Sequence, residues 1–120
     1  MRQERTVDEI LKDPATVVGI SVVSLFEISF AILQRTESED ECRHAVAAVR
    51  LSVEVIAPVT EAIVEAAFHL RLAAKSRIAI ADCLIAGTAI CRGAILVHRD
   101  LHFASLAPGK PIQDVLLDKV

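Results

Sequence analysis

Three β-branched, apolar runs recur along this chain, Thr16 to Val23, Val53 to Val59 and Ala94 to His98, and stretches of helical spacing separate them. Short runs of this kind read as buried strands. Strands joined through helices are parallel, because a parallel pair needs a long crossover. The pattern therefore predicts an α/β domain with helices on both faces of a mainly parallel sheet, and a site at the carboxyl ends of its strands.

The punctuation between the runs sets the expected elements. Arg2 to Asp13 has Val7, Ile10 and Leu11 at helical spacing, and Asp13-Pro14 closes it, since the residue before proline avoids the helical region. Ser24-Leu25-Phe26-Glu27 matches an S-x-x-E capping box, with Val23 and Ile28 at the staple positions, so a helix is expected from there to about Arg35. The acidic string Thr36 to Glu41 reads as a loop entering a helix over Glu41 to Leu51. Thr60 is placed to cap a helix over Glu61 to Ala74, with Ile63, Ala67, Leu70 and Ala74 on one side. After a break at Lys75-Ser76-Arg77, a further helix closes at Arg92-Gly93, where a cation and a stop glycine coincide. Arg99 to Phe103 is an expected turn, and Ile112 to Leu117 a final short apolar segment.

At 120 residues the chain fits a single domain over 1–120, large enough for a core without disulfides or a structural metal. With 53% hydrophobic residues but only 3% aromatics, that core must be built from Ile, Val, Leu and Ala. A net charge of −3 argues against a basic protein that coats nucleic acid, but not against an enzyme touching a few phosphates. Cys42, Cys83 and Cys91 form no CxxC pair, and Cys42-Arg43-His44 lacks a second ligand pair for zinc. A reducing cytoplasm is expected. Val17 to Leu33, interrupted by Glu27, is short for a membrane span of about 20 residues and reads as core.

The run Ala79 to Ile90, AIADCLIAGTAI, holds a single charge, Asp82, in apolar company. A buried carboxylate is costly unless it has a partner, a solvated notch or a cation. Two other acids hold comparable places: Glu27 follows the strand ending at Val23, and Asp100 follows the one ending at His98. Each has a plain structural explanation, as a capping-box glutamate, a first-turn acid favoured by the helix dipole, and an Asx turn. Together they are what a hard divalent cation requires, several oxygen donors in an apolar setting.

SVVSLFEISFAI, IADCLIAGTAI and AILVHRDLHF, in this order and at these intervals, resemble the second, third and fourth acidic motifs of PIN-domain nucleases, in particular the VapC-type toxins of toxin–antitoxin pairs. The resemblance runs from about Val17 to Ile112. It implies a three-layer α/β/α fold that gathers acids around Mg²⁺ or Mn²⁺ and cleaves RNA. By position Asp82 would be a direct metal ligand, Asp100 a ligand directly or through water, and Glu27 an outer or bridging carboxylate that orients water. A cognate antitoxin and a homodimer are the implied partners.

Two departures from the family pattern stand out. The family opens with an apolar strand carrying its first aspartate, and that strand is missing here; Asp8 and Asp13 sit on a polar helix instead. The expectation is a PIN-like domain incomplete at its N-terminus, paired with a partner at its open edges. His98 replaces a small hydroxyl residue, and with Arg99 and His102 it is a candidate phosphate contact, as are Lys75 and Arg77. Three functional readings follow: a metal-dependent endoribonuclease toxin, a catalytically impaired PIN-like fragment acting as a dimerisation or partner-binding module, and a plain interaction domain whose acids are only caps.

Overall fold

The computed structural model describes Glu9, residues 12–98 and residues 113–116, with the backbone alone for 97, 98 and 113–116. Its described elements are β1 (Gly19–Ser21), α1 (Val22–Thr36), α2 (Glu39–Ser52), β2 (Val55–Ala57), α3 (Glu61–Ala73), α4 (Ile80–Arg92), β3 (Ile95–His98) and β4 (Gln113–Leu116). Both strand pairings are parallel: β1 with β2, setting Ser21 opposite Ala57, and β3 with β4, setting His98 opposite Leu116. The chain divides into two compact units, residues 17–59 and residues 1–16 with 60–120.

In the unit formed by residues 17–59, β1 is shorter than the apolar run that contains it. Pro58 ends β2 at Ala57, because proline has no N–H to continue a ladder, so among the described residues the β1–β2 pairing stops at Ser21. The buried Ser21 then becomes the N-cap of α1, its Oγ accepting from the Val23 N–H at 3.1 Å. This corrects the capping box expected at Ser24 and Glu27: both residues lie inside the helix. The helix ends at Glu37, whose φ of 52° places it in the left-handed region while its N–H donates to the Leu33 carbonyl.

Of the acidic string expected as a loop, Glu37 and Ser38 do link two helices, but Glu39, Asp40 and Glu41 belong to the second helix. Ser38 Oγ accepts from the Glu41 N–H at 3.2 Å, so α2 starts at Glu39 and places Glu39, Asp40 and Glu41 in its first turn. Negative charge is favourable there because it faces the positive end of the helix dipole. Arg43 reaches back to Glu39 and Asp40, but all three side chains stand in solvent, where such pairs contribute little. The Cys42 thiol donates to the Ser29 carbonyl at 3.3 Å and ties α2 to α1.

The expectation that Val17 to Leu33 forms core is also corrected. Within it only Ser21 and Leu25 are buried. Val22, Phe26, Phe30 and Leu33 share one helical face of α1, are 41–73% exposed, and include a parallel Phe26–Phe30 ring stack. The apolar content of α1 exceeds what one packed face can bury.

In the other unit, Thr60 Oγ1 accepts from the Ile63 N–H at 3.3 Å and caps α3, which buries Ile63, Ala67 and Leu70 as its spacing predicts. α4 buries Cys83, Ala86, Gly87, Thr88 and Ala89, and Thr88 Oγ1 satisfies itself on the Leu84 carbonyl. Ala67, Leu70, Ile78, Cys83, Ala86, Ala89 and Leu96 form one buried cluster. Each fully buried Leu or Ile in it is worth roughly 1.5–3 kcal/mol. Gly93 closes α4 with φ 60°, and its own N–H and that of Ala94 return to Ile90 and Ala89. This is the glycine stop that the sequence predicts. At the start of β3, Leu96 is buried while Ile95, also expected in the core, is 42% exposed.

Near the N-terminus, Lys12 is helical and the chain turns at Asp13, whose Oδ1 accepts from the Ala15 N–H at 2.9 Å. Most of the helix expected over Arg2 to Asp13, and the turn expected over Arg99 to Phe103, lie outside the described residues. No helix among the described residues is long and apolar enough to cross a membrane.

Candidate functional site

Asp82 occupies the third position of α4 and is half buried. Ala79 precedes the helix and offers no capping side chain, so Asp82 is the acid closest to the positive end of the helix dipole. Its neighbour Cys83 turns into the core. Burial pushes the Cys83 thiol above its ordinary range, the Arg71 guanidinium opposes that rise, and the Asp82 carboxylate adds to it. Asp82 is thus half buried and adjoins a member of the buried apolar cluster.

Glu27 stands exposed in the second turn of α1, beyond the carboxyl end of β1. Because Ser21 rather than Ser24 caps the helix, the capping-box explanation of Glu27 fails. It is flanked on its own helix by the exposed Phe26 and Phe30. Sequence reasoning missed that aromatic face, although the spacing of Val22, Phe26 and Phe30 by four residues marks it.

Asp100, Arg99 and His102 lie outside the described residues. His98 ends β3, described by its backbone alone. Lys75 and Arg77 are exposed in the segment joining α3 to α4, which places them on the approach to the first turn that carries Asp82. Among the described residues no three His, Cys, Asp or Glu side chains gather as a metal-holding group. A groove of about 460 Å³ between α3 and the end of α4, lined by Ala62, Glu65, Ala66, His69, Leu70, Ala73 and Ile90, includes none of the acids singled out above.

The donor chemistry suits a hard divalent ion. Taken singly, Asp82 in one unit and Glu27 in the other each present carboxylate oxygens, the ligand type Mg²⁺ and Mn²⁺ take, and neither is enclosed so deeply that an ion would have to shed all its water to reach it.

The PIN domain family model matches residues 2–108. Among solved structures, the chain is similar to VapBC2 of Rickettsia felis bound to a DNA fragment from its promoter, with 18% identity and a TM-score of 0.74 over 92% of this chain and 83% of that one. It is also similar to VapBC-5 of Mycobacterium tuberculosis, a toxin–antitoxin system, at 22% identity and TM-score 0.66, covering 81% of this chain and 79% of that one. DNA-bound VapBC of Salmonella typhimurium follows at 19% identity and TM-score 0.67, covering 81% and 73%. No curated protein matches. The expected three-layer α/β/α class therefore stands, with a partial parallel sheet. A family model that spans nearly the whole chain, on a fold that sets an acid at the head of α4, gives one conclusion: the chain belongs to the PIN domain family.

Proposed function

We propose that this chain is a metal-dependent endoribonuclease, the toxin of a toxin–antitoxin pair, working in the cytoplasm as a single PIN-like domain. The observation that carries this reading is the place of Asp82, half buried in the first turn of α4 in a chain of the PIN family. Asp82 and Asp100 would hold Mg²⁺ or Mn²⁺, with Glu27 as the outer or bridging carboxylate. Such an ion, when bound, supplies Lewis acidity toward the phosphodiester and lowers the pKa of water.

The side chains would do the rest. Glu27, exposed and carried on a rigid helix, is suited to accept a proton from the attacking water and to orient it. Arg99, His98 and His102 would contact the RNA phosphates and favour the charge that builds on the leaving oxygen. Lys75 and Arg77, exposed ahead of α4, would add to the attraction of the polyanion.

The partners on this reading are single-stranded RNA, a cognate antitoxin and a second copy of the chain. The antitoxin is supported by the similarity to structures of VapBC toxin–antitoxin systems. Its tail would lie along an apolar groove and present a basic side chain to the acids.

One observation favours a second reading, that of a catalytically impaired PIN-like module for dimerisation or partner binding: among the described residues each parallel ladder has only two strands. Incubation with varied single-stranded RNAs and Mn²⁺ separates the two. The nuclease reading expects cleavage by the wild type and none by Asp82→Asn; intact RNA with both proteins would favour the binding module.

A further inference from the structure

No further inference is drawn: the strongest candidate, the exposed apolar stripe of Val22, Phe26, Phe30 and Leu33 along α1, has nothing in the structure to show what covers it.

Discussion

Gly87 lies against the backbone of Ile63 so closely that a Cβ atom on Gly87 would sit 2.9 Å from the Ile63 carbonyl oxygen and 3.0 Å from the Ala67 nitrogen. α3 and α4 therefore meet backbone to backbone at this point, and the helix that carries Asp82 is seated by an absent side chain. The two nearest atoms are main chain and the third is the Ala67 Cβ, so none has a rotamer through which to retreat. Gly87→Ala gains up to about 1 kcal/mol of helix propensity but overpacks at a typical cost of about 1–3 kcal/mol. The expected outcome is a net loss of up to about 2 kcal/mol, read as a lower urea midpoint with an unchanged slope.

The start of α1 gives a second test. Ser21→Ala removes the Oγ that accepts from the Val23 N–H and should cost about 1 kcal/mol, the usual value of an N-cap. Ser24→Ala, inside the helix, should change stability by less than about 0.5 kcal/mol. Equal losses in the two variants, measured by chemical denaturation, would restore the capping box at Ser24.

This contrast also shows what could be read from the sequence. The box Ser24–Glu27 is a valid local signal, and so is Ser21; a non-local fact decides between them, since Pro58 ends β2 and so ends the ladder at Ser21. The string Thr36 to Glu41 misled in a related way. Its charge looks like a solvated loop, yet Ser38 converts the same acids into a favourable first turn. By contrast, the end of α4 at Gly93 and the cap of α3 at Thr60 rest on single-residue chemistry and were legible in full. Asp82 was legible as an outlier because it is the one charge in the apolar run Ala79 to Ile90. The exposure of Phe26 and Phe30 was not, because apolar spacing marks a face without saying what lies opposite it.

Cys83 makes alkaline stability measurable at one position. Its thiol is held above its ordinary value in the folded chain, chiefly by burial. The folded state therefore binds the proton more tightly than the unfolded state. The contribution is fully present below the unfolded pKa, about 8.5 for a thiol, and is lost as pH rises from there through the folded value. Denaturation midpoints of the wild type should fall more steeply above about pH 8 than those of Cys83→Ala. Parallel pH profiles would mean that the thiol titrates alike in both states.

The central claim is that Asp82 holds a divalent ion, and metal-dependent thermal unfolding tests it most directly. Two carboxylates about 4 Å apart repel by about 4 kcal/mol at an effective dielectric near 20, so on the proposed reading an ion held by Asp82 would bind the folded state and not the unfolded chain. At a free Mn²⁺ concentration a hundred times its Kd the stabilisation is about 2.7 kcal/mol, a rise of several degrees in Tm. The account predicts that rise for the wild type and its loss in Asp82→Ala, with the metal-free Tm of each protein as its own reference. Identical melting curves with and without Mn²⁺ for the wild type, or an equal rise in Asp82→Ala, would contradict it.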